Sequence, residues 1–260
     1  NQLEKFHHSN ELVNENEIWV PSQMYPYSTT VSNYINRPGF MDDAIAKLDK
    51  NGQIQFIKSV SELLIENGIK KTNMLEIYDP IHLNDIEPAR FKSKYWNKND
   101  LFLSLPRFSS IVQYRPSTNK VIRYIKGPFS SQHDVDIISD EEISIFNNNN
   151  SVVGKNNSEV LIYNLKNETF TKKFNAQLIN NNFKTDTEGL SEILKDGSML
   201  VEEQNHGRLI FFNNEGKKEW EYVNKDSKDN IYFISWSRVI EEKNLIIKIK
   251  ESIKNNKCIS

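Results

Sequence analysis

The sequence predicts an all-β fold, and three observations carry the prediction. Apolar residues gather in short strand-like runs, turn residues separate the runs, and one opening pattern recurs along the chain. The clearest runs cover residues 17–21, 100–105, 111–115, 120–125, 142–146, 159–163, 198–202 and 208–212. They are rich in Ile, Val, Leu and aromatic residues, as half-buried strands are. Turns bound them at Asn51-Gly52, at residues 116–119, at Asp196-Gly197 and at residues 214–216. Helical spacing of apolar residues is confined to one segment, residues 60–67, which Gly68 stops. A short helix in an insertion is expected there.

The recurring pattern begins near residues 8, 82, 133 and 188. Each unit opens on a polar residue: His8, His82, His133 or Glu188. An acidic residue follows three or four places on: Glu11, Asp85, Asp136 or Glu192. One or two apolar residues, an acidic or Asn turn and an apolar strand complete the opening. In the second unit residues 89–99 are inserted before that strand. Two units then finish with another hairpin, turning at residues 116–119 and 213–216. Four strands recurring about every 50 residues are the sign of a β-propeller. A last, partial unit is expected over residues 231–240, which makes about five blades in one domain covering residues 1–260. A β-sandwich is the competing fold, but it leaves the shared opening pattern without a cause.

Composition narrows the function. Lys plus Arg is 33 and Asp plus Glu 35, a net charge of −2 with no basic block, which argues against nucleic-acid binding. The 11% aromatic content excludes a disordered polyelectrolyte. The single cysteine, Cys258, excludes an intrachain disulfide, a zinc ribbon and a thioredoxin-like site. No apolar run is long enough to span a bilayer, so stable membrane insertion is not expected. Walker-type, GxGxxG, HExxH and EF-hand motifs do not occur. Residues 251–260, rich in Lys and Asn, are expected to form a final edge strand or a tail.

In a propeller the inner strand of each blade lines a central channel. Residues that open the units therefore converge although they lie far apart in sequence. His8, His82, His133 and Glu188 are the candidates. Each alone has a plain structural role available, hydrogen bonding to a neighbouring strand. Together on one axis they make a site. The acidic partners Glu11, Asp85, Asp136 and Glu192 are expected to hold backbone amides and neighbouring blades. His206 is expected on a turn. Arg107, after the strand at residues 100–105, is either an exposed loop residue or part of the site. Three His and one carboxylate also suit a divalent metal such as zinc. A binding or scaffold propeller that keeps the channel without turnover is the remaining class.

Several stretches resemble the bacterial arylsulfotransferase family: residues 79–88, 100–107, 127–136 and 144–148. The resemblance covers most of residues 7–240 and is tightest over 79–148. It implies a six-bladed propeller, against the five blades counted above, and so the expectation that N-terminal sequence is missing or a blade is degenerate. It also implies transfer of a sulfuryl group from an aryl sulfate to a second phenol, through a covalently sulfated histidine. No cofactor and no nucleotide donor are implied. On that resemblance His133, within Gln132-His133-Asp134, matches the sulfated histidine. His82 and Asn84 match a His-x-Asn pair, Arg107 a sulfate-binding arginine and His8 a further channel histidine. Glu188 joins the substrate-binding set. Phenols and aryl sulfates would be the partners, and Tyr25, Trp96 or Trp236 would either stack on them or pack in the core. The family implies export to a bacterial periplasm or surface.

Overall fold

A computed structural model describes residues 5–33, 39–69, 78–150 and 157–255. Cys258 lies outside them. Among the described residues, four antiparallel sheets form the blades of a β-propeller. The first contains β1 (Lys5–Phe6), β2 (Glu11–Asn14), β3 (Glu17–Gln23), β4 (Asp43–Asp49) and β5 (Ile54–Ser59). Here β1 and β2 share the inner edge, pairing with opposite ends of β3. The second contains β6 (Asp85–Pro88), β7 (Leu101–Leu105), β8 (Ser110–Arg115) and β9 (Lys120–Lys126). The third contains β10 (His133–Ile137), β11 (Glu142–Asn147), β12 (Glu159–Asn164) and β13 (Thr169–Lys173). The fourth contains β14 (Leu190–Ile193), β15 (Met199–Glu203), β16 (Arg208–Phe212) and β17 (Lys218–Val223). Strands within these three blades pair in chain order.

Tight turns recur at the corners. Residues 106–108, 116–118 and 204–206 each form a 3-10 turn closed by a left-handed residue: Ser109, Asn119 and Gly207. Gly207 has a second reason to lack a side chain. A Cβ there would run into the carbonyl oxygen of Tyr232. The helix expected at residues 60–67 is present as α2 (Val60–Glu66). Ser59 caps it by accepting the Glu62 amide, and Val60, Leu63 and Leu64 are buried against the first two blades. Two further short helices are α1 (Thr29–Ser32) and α3 (Asn175–Asn180). No described helix is long and apolar enough to cross a membrane.

The core lies between blades. Trp19, Ile45, Leu64, Ile86 and Leu103 fill the space between the first two. Trp96, Phe102, Ile145 and Tyr163 join the second to the third. Phe146, Phe183, Val201 and Phe212 join the third to the fourth. Carboxylates lock the same seams on the channel side. Asp43 accepts the Leu83 amide at 2.7 Å, Asp85 the Val135 amide at 2.8 Å and Asp134 the Ser191 amide at 2.8 Å. Each bond satisfies a buried backbone donor that the blade's own ladder leaves open.

Among the described residues the blade count is four, not the five to six expected. Residues 231–240 alternate like a strand but have no sheet to enter. Only an isolated bridge, Lys225 with Ile231, forms there. Carboxylates replace strand partners: Glu202 accepts the Trp236 and Ser237 amides, and Glu192 accepts the Val239 amide at 2.8 Å. The segment is thus a strap along the fourth blade. Residues 251–255 do not form an edge strand but the end of α4 (Lys243–Asn255), where Leu245, Ile246, Ile249 and Ile253 recur at helical spacing, and residues 256–260 lie outside the described residues.

The strap reaches the first blade through Arg238. Its guanidinium lies 3.3 Å from Glu11, which also accepts from Arg90 at 3.1 Å. Glu11 therefore takes two arginines rather than a backbone amide. Burial, and then the nearness of Glu11, push the Asp85 carboxyl up to about 7. Arg238→Ala leaves these acids with less positive charge. Losing a buried ion pair costs about 3–5 kcal/mol, and since the Arg238 side chain is 37% exposed, about 1–2 kcal/mol is expected. That corresponds to a fall in Tm of about 3–6 °C. The fall should be larger at pH 8, where Asp85 is ionised, than at pH 5. Equal melting curves at both pH values would rule out this role for the strap.

Candidate functional site

Three imidazoles meet at one mouth of the channel. The His8 ring centre lies 5.3 Å from that of His82 and 6.3 Å from that of His133. The openings of the blades explain the convergence. His8, His82 and Glu188 have φ of 58°, 56° and 58°, and Ser131 beside His133 has 57°. This left-handed backbone turns the chain as it enters each inner strand. Such a conformation in non-glycine residues is costly and is sustained where surrounding structure enforces it. The cavity there measures about 630 Å³ and is lined by His8, His82, Arg107, His133 and Glu188, with Ser and Thr hydroxyls around them.

Asn84 sits below the mouth, buried. Its side-chain amide donates to the Gln132 carbonyl at 2.9 Å and so fastens the residue before His133. It borders a smaller compartment of about 180 Å³ together with His8, His133, Glu188 and Trp236. The Glu188 carboxylate accepts from the Gln204 side chain. Tyr25 is 72% exposed and Trp96 only 2%, packed in the core, and neither lines these two cavities. Trp236 does reach the smaller compartment, with the Arg238 guanidinium 4.6 Å from its ring centre. His206 stands away from the channel, its Nδ1 2.9 Å from the Lys184 carbonyl.

The imidazoles differ in protonation. Burial pushes His133 down to about 4, more than its hydrogen bonds to the Asn148 and Ser131 oxygens raise it. Burial and the neighbouring His7, His82 and His133 push His8 down to about 3. His82 goes the other way. Its Nδ1 lies 2.5 Å from an Asp79 carboxylate oxygen, and that bond raises its pKa against the effect of burial. Asp79 is held below the usual carboxylate range: burial raises it, but His82 and Arg107 together outweigh burial. Arg107 is 59% exposed and reaches within 4.0 Å of Asp79. At neutral pH the mouth therefore joins neutral His8 and His133 to the Arg107 guanidinium and to His82, whose bond to Asp79 favours the cation.

Two residues were not singled out in the sequence. Asp79 stands three places before His82, and its carboxylate also accepts the His82 amide at 3.1 Å. Asn148 follows β11, and its Oδ1 lies 2.7 Å from His133 Nδ1. Both fall inside the stretches that carry the family resemblance, but nothing in their spacing announces a role. Among the described residues no group of three or more His, Cys, Asp or Glu is arranged to hold a metal ion.

The family model for arylsulfotransferase (ASST) matches residues 3–225. The chain belongs to the arylsulfotransferase family. The match takes in all four blades and the histidine mouth of this family member, and stops before the strap and α4. No curated protein matches the chain. Among solved structures, hydrazine synthase of Kuenenia stuttgartiensis is similar at 8% identity with a TM-score of 0.44. That alignment covers 81% of this chain and 47% of the other, so the chain spans about half the length of that structure.

Proposed function

We propose that the channel mouth transfers a sulfuryl group from an aryl sulfate to a phenolic acceptor, with His133 as the nucleophile. One observation supports this above the others. A neutral imidazole and one whose carboxylate partner favours the cation line the same cavity, so a nucleophile and an acid stand together. The His133 lone pair attacks sulfur, and the bond from sulfur to the phenol oxygen breaks. The leaving phenolate takes the proton of His82. In the second half the acceptor phenol gives its proton back to His82, its oxygen attacks sulfur, and the nitrogen–sulfur bond breaks. Arg107 and His82 face the negative oxygens of the group in transit, as preorganised cations stabilise developing charge elsewhere. His8, Asn84 and Glu188 shape the cavity around the ring. A donor that is itself an aryl sulfate needs no nucleotide supply, which suits a periplasmic or extracellular setting.

The test is nitrophenolate release from p-nitrophenyl sulfate with phenol in excess. Release should depend on the acceptor and follow ping-pong kinetics, because the covalent step splits the reaction. The rate should rise with pH as His133 loses its proton near pH 4. It should fall again above the ordinary imidazole range, where His82, with its raised pKa, loses its own. No release from folded protein across this window would favour a binding propeller instead.

A further inference from the structure

Asn148 makes three hydrogen bonds that leave its amide a single orientation. Its Nδ2 donates to the Thr185 carbonyl at 3.0 Å and to the Glu188 carbonyl at 2.7 Å. Carbonyl oxygens only accept, so the amide nitrogen must occupy that end. The amide oxygen then occupies the other end, facing His133 Nδ1 at 2.7 Å. An amide oxygen also only accepts. The Ser131 carbonyl, 3.0 Å from the same ring nitrogen, is a second acceptor. Turning the amide over would set oxygen against two carbonyls and lose both of those bonds, and it would leave Nδ1 facing the Ser131 carbonyl without a hydrogen. Nδ1 therefore carries the hydrogen.

We propose that Asn148 is a positioning residue that holds His133 in the Nδ1–H tautomer, so that the Nε2 lone pair faces the cavity. The tautomer follows from hydrogen bonding alone. Its use as the attacking atom rests on the function proposed above. The burial that keeps His133 neutral completes the arrangement, since a neutral ring with hydrogen on Nδ1 has its lone pair on Nε2. Asn148 would act again once Nε2 bears the sulfuryl group. The ring is then cationic, and its Nδ1–H bonds to the Asn148 and Ser131 oxygens disperse the charge. When the acceptor takes the sulfuryl group, the bonding pair returns to Nε2 and Nδ1 keeps its hydrogen throughout. The device spans two blades. Asn148 follows β11 of the third, while both carbonyls that fix it precede β14 of the fourth. The seam between these blades thus sets the state of the nucleophile.

Nitrogen NMR of protein with labelled histidine reads the tautomer without any substrate, and His133→Gln assigns the signal. Wild type at pH 7 should show His133 with hydrogen on Nδ1 and a bare Nε2. Hydrogen on Nε2 instead would overturn the proposal, whatever the protein catalyses. Asn148→Leu should convert the signal into a mixture of tautomers and lower kcat by about tenfold or more, as loss of an orienting partner does at metal-bound histidines. A signal that stays wholly in the Nδ1–H form in this variant would show that Ser131 suffices, and would remove Asn148 from the role. Asn148→Asp puts a carboxylate on Nδ1 and should move the acid limb of the NMR titration of His133 upward. A purely structural residue would lower stability in both variants and leave tautomer and titration alone. If Asn148→Leu does not fold, the wild-type spectrum and the aspartate titration still decide.

Discussion

Replacing His133 with alanine is expected to lower kcat for sulfuryl transfer by about three orders of magnitude or more, the scale on which removal of an attacking group acts. KM for the aryl sulfate should change little. Arg107 and the His82–Asp79 pair remain in the cavity and still face an anion. Intact mass separates the covalent step from binding. Wild type given aryl sulfate without acceptor should gain one sulfuryl group, and the variant none. Turnover that survives in the variant would point to another ring. His8 is the alternative, because it too is neutral at pH 7 and its ring lies 6.3 Å from that of His133. His82 is less suited, since its bond to Asp79 favours the cation, which has no lone pair to give.

What the sequence discloses of this site follows from periodicity. His8, His82, His133 and Glu188 are legible as a set because each opens an inner strand, and the inner strands share an axis. Asn148 is not legible, because its role depends on carbonyls about forty residues further on, across a blade seam. Asp79 is closer to visible, three residues before His82, yet the same spacing occurs on any turn. The blade count shows the limit of pattern. Residues 231–240 alternate as well as any strand, but a strand exists only with a partner. Here the amides go to Glu202 and Glu192 instead. The opposite error occurs at β4. Its Ala44, Ala46 and Lys47 are weak strand formers, yet the strand is central and buried between β3 and β5.

The largest loss of stability is expected from Asp100→Ala. Asp100 is 1% exposed and takes both nitrogens of a bidentate Arg115 fork, at 2.7 and 2.8 Å. It also accepts from Gln113 at 2.9 Å and from the Asn97 amide at 3.0 Å. Alanine leaves a guanidinium and two neutral donors without their acceptor. Breaking a buried pair costs about 3–5 kcal/mol, and because the Arg115 side chain is 24% exposed the lower end, about 3 kcal/mol, is expected. For a domain of this size that lowers Tm by about 6–12 °C. The sign of the pH dependence is fixed. Burial pushes the Asp100 carboxyl up, but Arg115, Asn97 and Gln113 outweigh it and hold the group below its ordinary value. Its contribution is therefore present above the usual carboxylate range and lost as pH falls through the lowered value. Urea denaturation at pH 7 should separate the variant clearly from wild type, and at pH 3 the gap should narrow. A difference at pH 7 below about 1 kcal/mol would place Asp100 among surface pairs of little worth. The loss should fall on stability rather than chemistry. Asp100 and Arg115 stand at the end of the β7–β8 hairpin opposite Arg107, which lies in the turn joining the two strands. The turnover of the molecules that remain folded should therefore match wild type. A drop in kcat per folded molecule would mean that the hairpin transmits strain from its outer end to the channel mouth.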